Sequence, residues 1–359
     1  MAQINKPNLH FNTKLYTGDM TDGDGTGHTQ AITGVGFAPD WVWHKCRSHA
    51  QTHLIVDKVR GVGSYNFLQS SAQSAQSTSN SNGAISALGS DGFTLENGSD
   101  SGGKGNNAGA NGRTYATWNW KANGAGSANT AGTINSTVSV NTTAGFSIVK
   151  YSGTGSNATV GHGLGAVPKV VLVKNLGQST DWYMYTEVIG NTKSILLNSN
   201  NGQTSAYSDN WNNTSPTTTT FSVGTSGAVN SSIADHVAYC FAEKKGFSKF
   251  SSYVGNSSAN GTFVYTGFRP AFIMAKAYTR SENWHMFDSK RIGRNVNNEQ
   301  LYADSNSSEG DTDYLDILSN GFKFRYNSVG LNGAGESYLY WAFAENPIVG
   351  TNNIPGVAR

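Results

Sequence analysis

Five short motifs recur in the same order three times along the chain, and a chain that repeats itself in this way folds as repeated units. Each copy opens on a strand ending in tyrosine, one variable residue and glycine: "LYTG" at 15–18, "KYSG" at 150–153 and "SYVG" at 252–255. A proline then leads into an apolar run, in "GFAPDWVWHK" (36–45), "GAVPKVVLVK" (165–174) and "GFRPAFIMAK" (267–276), which places Pro39, Pro168 and Pro270 in equivalent positions. The third motif holds an acid and then a glycine, "LIVDKVRG", "MYTEVIG" and "MFDSKRIG", and aligns Asp57, Glu187 and Asp288. A late strand reads "DGFTL", "TTFSV" or "NGFKF". An aromatic strand closes each copy, "GRTYATWNWKANG", "ADHVAYCFAEKKG" and "GESYLYWAFAENP", with Trp120, Phe241 and Phe343 equivalent.

The spacing is regular. Tyr151 and Tyr253, Pro168 and Pro270, and Phe241 and Phe343 are each 102 residues apart, while Phe221 and Phe322 are 101 apart. Landmarks in so constant a register predict a duplicated unit of about 100 residues, an ordinary size for a β-sandwich. The expected fold class is all-β, with three tandem antiparallel sandwiches of jelly-roll type over 10–122, 145–245 and 246–348. Residues 1–9 and 349–359 are expected as terminal arms that dock on partners, and the Gly/Ser/Thr-rich stretch 123–144 as a linker. The first copy is longer because of "SSAQSAQSTSNSNG" and "ENGSDSGGKGNNAGANG", which read as loop insertions on the same scaffold.

Composition supports this reading. Forty-three glycines against seven prolines, with abundant Asn, Ser and Thr, suit many short strands joined by turns that need positive φ. "KVVLVKN" is continuously apolar, as in a strand buried on both faces, and "YLYWAFAE" alternates bulky rings with smaller residues. A helix of any length is not expected. A proline at the start of each apolar run fits a first strand position, where a missing N–H harms no ladder. Charged residues are 13% of the chain and the net charge is +2, which excludes nucleic acid as a partner on charge grounds. The two cysteines, Cys46 and Cys240, are non-equivalent in the repeat, so no disulfide is expected. The first residues, "MAQINKPNLHFN", lack a signal-peptide core, and no stretch approaches the ~20 apolar residues of a membrane span, so no membrane partner is expected.

Longer stretches carry a resemblance. "FNTKLYTG", "GVGFAPDWVW", "GTINSTVSVNTTAGFSIVKYSGTGSNATVGHGLG", "GFSKF" and "GESYLYWAFAENPIVGTNNIPGVAR" resemble a family of structural proteins of tailed bacteriophages, particularly marine ones. Its members are virion or tail-fibre-like proteins with repeats similar to concanavalin-type jelly rolls. The resemblance covers nearly the whole chain. It implies a non-enzymatic component of the virion exterior, made in the host cytoplasm, and it transfers no catalytic residue and no cofactor.

The candidate sites favour architecture. Asp57 and Asp288 are each followed three residues on by an arginine, Arg60 and Arg291, so a structural ion pair is expected; the second copy lacks the arginine. "DGDGTGH" (22–28) and "ENGSDSGG" (96–103) have spaced oxygen ligands but not the full calcium series, and read as turns. His44, His49 and His53 cluster near Cys46 at spacings that match no zinc framework. "GHGLG" lacks the lysine of a phosphate loop and reads as a turn. Trp118, Tyr239 and Trp341, and likewise Trp120, Phe241 and Phe343, are expected in the core. Trp41, Trp43, Trp182, Trp211 and Trp284 depart from the repeat, although Trp182 and Trp284 share the contexts "DWYMY" and "NWHMF".

Two functions follow as expectations. The first is a capsid decoration or cement protein, since three sandwiches and no heptad stalk offer a multivalent surface to the major capsid protein or tail proteins. The second is a tail-associated adhesin whose loops bind a host-surface glycan. A homo-oligomer is compatible with either. A depolymerase ranks below both, because no unrepeated carboxylate pair stands out.

Overall fold

The computed structural model describes residues 3–21, 27–63, 66–77, 81–99, 108–205, 207, 209–291, 295 and 297–350. Among the described residues strand makes up 44% and helix 3%. The two α-helices among the described residues are single turns, Gly227–Asn230 and Val329–Asn332.

Each third of the chain builds a four-stranded antiparallel arrangement with one strand order: opening, closing, apolar, fourth. In the first third these are Phe11–Thr17, Thr114–Trp120, Trp41–Cys46 and Leu54–Asp57. In the second they are Phe146–Ser152, Asp235–Phe241, Val170–Asn175 and Tyr183–Thr186. In the third they are Ser248–Val254, Ser337–Pro347, Phe268–Ala277 and His285–Asp288. The register is also shared. Trp120 pairs with Phe11 and Trp41, Phe241 with Phe146 and Val170, and Phe343 with Ser248 and Phe272.

Side chains alternate across a strand, so each sheet has two faces to bury. One face packs on a second layer. That layer is Thr29–Thr33, Gly92–Glu96 and Ala84–Leu88 in the first third, and Ala158–Gly161 with Thr220–Val223 in the second. In the third the inner sheet continues through Asn297–Tyr302, Gly310–Leu318 and Gly321–Phe324 to Phe263–Tyr265 at its far edge. Between the layers lie three separate apolar cores. In all three, the tyrosine of the opening motif reaches a backbone carbonyl: Tyr16 to Ala108, Tyr151 to Val229 at 2.6 Å and Tyr253 to Leu331 at 2.8 Å.

The other faces of the three sheets meet one another. A single cluster takes Phe11, Trp41, Trp43, Trp118 and Trp120 from the first sheet, Phe146, Ile148, Leu172, Tyr239 and Phe241 from the second, and Phe250, Phe272, Met274, Trp341 and Phe343 from the third. At its middle the closing strands touch, with the Phe343 ring 5.4 Å from Trp120 and 5.9 Å from Phe241. Such ring pairs add about 0.5–1.5 kcal/mol each beyond the apolar area they bury. The sandwiches therefore share a fourth core, around which they are arranged as three sides of a prism.

Several sequence expectations are corrected. The stretch 123–144 is not a free linker: Ser136–Asn141 pairs with Phe146–Ser152, and Ser127–Asn129 pairs with Ser136–Asn141. Val138 and Val140, two apart, supply the apolar face that its Gly/Ser/Thr composition hid. Pro270 lies inside its strand at a register shift, where a bulge removes the need for its N–H. Pro39 and Pro168 precede their strands by two residues. Ile4 is buried in the central cluster and Pro7 in a 3-10 turn, so the N-terminal stretch serves the body's own packing. Residues 351–359 of the other expected arm lie outside the described residues.

Candidate functional site

All eight tryptophans are buried, including Trp182, Trp211 and Trp284. Three side chains, one per copy, hold the seams between neighbours. Strand register places His53, Trp182 and Trp284 in the same position, directly before each fourth strand. Each bonds a carbonyl of a different third of the chain at the same distance. His53 Nε2 lies 2.8 Å from Tyr302 O, Trp182 Nε1 donates to Gln69 O at 2.8 Å, and Trp284 Nε1 donates to Leu196 O at 2.8 Å. The first third thus holds the third, the second holds the first and the third holds the second, so the ring is closed. A carbonyl only accepts, which puts the His53 proton on Nε2 and leaves Nδ1 to accept from Trp43 Nε1 at 2.8 Å.

A lysine six residues after each proline repeats this cycle. Lys45 Nζ donates to Gln51 O at 2.7 Å in its own loop and to Asn306 O at 3.1 Å across the seam. Lys174 Nζ reaches Thr180 O at 2.5 Å and Gln73 O at 2.8 Å, and Lys276 Nζ reaches Glu282 O together with Ser199 O at 3.2 Å. Burial pushes all three amines down to about 8. A neutral amine keeps two N–H groups, enough for both carbonyls.

The repeated acids belong to the same seams. Asp57 Oδ1 accepts the amides of Val59 and Arg60, and its Oδ2 accepts Arg60 Nε at 2.5 Å and Tyr239 Oη of the second sheet at 2.7 Å. Asp288 copies this with Lys290 N, Arg291 N, Arg291 Nε at 2.6 Å and Trp118 Nε1 of the first sheet at 3.1 Å. Both carboxylates are fully buried. Glu187 does not join them. Its position in the alignment is corrected by one residue, because Thr186 pairs with Val170 as Asp57 pairs with Trp41 and Asp288 with Phe272. Glu187 points to solvent and meets Lys169 at 2.5 Å. The third corner is accordingly apolar, with Ile189 where the others have arginine, and Trp341 Nε1 has no hydrogen-bond partner among the described residues.

These pairs can be tested by stability. Asp57→Asn is expected to cost about 3–5 kcal/mol, because Arg60 stays buried with only the uncharged Ile55 O, Asn66 O and Gln76 Oε1 around it. Asp288→Asn is expected to cost less, since Arg291 Nη1 keeps Glu309 at 2.6 Å. Urea denaturation of both variants measures this, and equal losses below about 1 kcal/mol would show that neither pair is held out of water.

The histidines expected near Cys46 do not converge. His44 lies on the outer face against Tyr16 Oη at 2.6 Å, His53 on the inner face, and His49 against Ser48 Oγ at 2.9 Å. No group of three His, Cys, Asp or Glu able to hold a metal ion occurs among the described residues. Both cysteines are free and buried. His162 of "GHGLG" accepts Leu164 N on its own turn at 3.2 Å. Of the two candidate calcium turns, residues 22–26 and 100–103 lie outside the described residues.

Each seam carries a cleft, and the one between the first and second sandwiches, of about 300 Å³, is lined by Arg60, Gln76 and Asp235 among others. Another, of about 370 Å³, joins the first and third sandwiches at Arg47, whose guanidinium is taken up by Glu299 at 2.6 Å and Glu309 at 2.8 Å. Burial, then the Glu309 charge, pushes Glu299 above the ordinary carboxylate value. The third, of about 560 Å³, lies between the second and third sandwiches and is lined by four lysines and one glutamate.

Three antiparallel sheets closed around one aromatic core, with side chains of each bonded across the seams, define an all-β protein built from sandwich-like units. The chain belongs to a family described as a domain of unknown function, DUF7483, whose model matches residues 6–347. No curated protein and no solved structure matches it.

Proposed function

We propose that the protein is a non-enzymatic structural component of a tailed-phage virion, carried on the particle exterior as a capsid decoration or cement protein. The observation behind this reading is the closed ring of seams, in which the residues best suited to chemistry are spent on holding three sandwiches together. A body of this kind turns its outer layers and loops in three directions from a rigid centre. Several weak contacts made at once by such a surface add through avidity, which is what bridging neighbouring capsid subunits requires. The resemblance to phage structural proteins supports the same assignment.

A second reading, a tail-associated adhesin for host glycans, draws on exposed aromatic side chains. Phe263 and Tyr265 stand out of an edge strand at 44% and 58% exposure. The test is quantitative mass spectrometry of purified virions. On the order of hundreds of copies per particle supports avidity-driven decoration, and a few dozen or fewer supports the tail. Absence from the particle rejects both.

A further inference from the structure

The cleft between the second and third sandwiches is where the repeat breaks. Lys169 stands where the other copies have Asp40 and Ala271, one residue before Val170, Trp41 and Phe272, which pair with Phe241, Trp120 and Phe343. Lys249 occupies the register position of Asn12 and Ser147, and Tyr265, two residues before the recurring glycine, that of Gly34 and Gly163. The "EKKG" turn, 243–246, answers to "ANG" at the end of the first copy and to "ENP" at the end of the third. Side chains that recur in all three copies close the ring. The four lysines and Tyr265 of the cleft do not recur in this way, and the shared architecture has no use for them.

Their chemistry is consistent. Lys169, Lys244, Lys245 and Lys249 line the cleft against Glu243 alone, so it is positive on a chain whose net charge is only +2. Lys249 Nζ is 3.3 Å from Glu243 and Lys169 Nζ is held by Glu187, while Lys245 is exposed and the stem of Lys244 packs over Gly145. Burial lowers the Lys244 amine. Beside the lysines the Tyr265 ring is 58% exposed and lies against Gly267. A flat ring next to polar groups presents one apolar face to a sugar and a polar rim to its substituents. At about 560 Å³ the cleft is within the usual range for small-ligand sites.

We propose that this cleft binds an acidic polysaccharide, whose carboxylate or sulfate groups sit on Lys245 and Lys249 while a sugar ring stacks on Tyr265. Nucleic acid fits less well, because its charge density rewards a long basic track and the positive charge here is confined to one cleft. The proposal goes beyond a role in the particle and does not depend on where the chain is carried.

The experiment is calorimetric titration of the full chain with a heparin hexasaccharide, an oligogalacturonate, a neutral dextran oligomer and oligo(dT). One or both acidic oligosaccharides are expected to bind, more weakly as salt rises, and dextran not at all. The double variant Lys245→Glu/Tyr265→Ala touches none of the seam bonds. It is expected to melt as the parent does and to bind at least about tenfold more weakly, through one reversed charge and one lost stacking face. A preference for heparin identifies sulfate as the recognised group, and a preference for oligogalacturonate identifies carboxylate. The proposal is overturned if neither acidic sugar binds, if the double variant binds as tightly as the parent, or if oligo(dT) binds more tightly than both.

Discussion

Stability is expected to be greatest between about pH 9 and pH 10 and to collapse between about pH 6 and pH 4. The acid limb comes from histidines that the fold keeps neutral. Burial lowers His44 to about 3, His236 and His285 to about 4, and His53 well below its ordinary 6.5. In His53 the geometry agrees with the burial, since a second proton would face the Trp43 N–H that Nδ1 now accepts. Below pH 6.5 the unfolded chain takes up protons that the folded one refuses, so this contribution is complete above about 6.5 and is lost as pH falls. At pH 5 His44, His236 and His285 each cost about 2 kcal/mol, on the order of 6 kcal/mol together against the 5–15 kcal/mol that a domain has, and His53 adds in the same direction.

On the alkaline side the buried lysines act with the same sign, and buried tyrosines oppose them. Lys45, Lys174 and Lys276 bind protons less readily folded than unfolded, so stability rises as pH climbs from about 8 towards their ordinary 10.5. The climb is cut short near 10, where tyrosines such as Tyr16, Tyr151, Tyr239 and Tyr253, raised by burial, ionise only in the unfolded chain. Urea midpoints measured from pH 4 to pH 10.5 give the profile. A maximum between pH 5 and 7 would mean that water reaches these amines and imidazoles.

How far the sequence could be read depends on which property of a residue did the work. Periodicity reports whether a side chain is buried, and it was reliable for Trp120, Phe241 and Phe343 and for the double-faced burial of "KVVLVKN". It does not report what lies opposite. Nothing in the alternation of "YLYWAFAE" says that Trp341 meets Phe241 of another copy at 5.2 Å instead of a partner in its own sandwich. Matching by residue type misplaced Glu187, because an acid beside the correct position looked more like Asp57 than Thr186 does, and only strand register separates the two. His53, Trp182 and Trp284 escaped notice as a set because a histidine and two indoles share no letter, although all three present a ring N–H. The seam lysines were legible and overlooked: a lysine stands six residues after Pro39, Pro168 and Pro270 alike. The cleft lysines became meaningful only when strand register showed which positions the other copies fill differently.

The second large effect concerns the middle sandwich alone. Residues 132–246, excised, are expected not to form a stable monomer. In the whole protein Ile148, Val170, Leu172, Trp182, Tyr239 and Phe241 of this stretch are all buried in the cluster shared by three sheets. Cut free, they face water, and exposing each costs about 1.5–3 kcal/mol, so the sum reaches or exceeds the stability a domain of this size has to lose. Trp182 also loses Gln69 O, and Lys174 loses Gln73 O, bonds that only water then replaces. The core between its own two layers, built on Tyr151, Trp211 and Phe221, does not make up the difference. The intact chain, by the same reasoning, unfolds in one transition followed equally by tryptophan fluorescence and far-ultraviolet dichroism. Sedimentation of the excised segment separates the outcomes. A disordered chain, or one that gains structure only as it associates and covers the exposed face with its own copies, agrees with a shared core. A folded monomer with dispersed amide resonances would show that each sandwich stands alone and that the aromatic centre is only an interface.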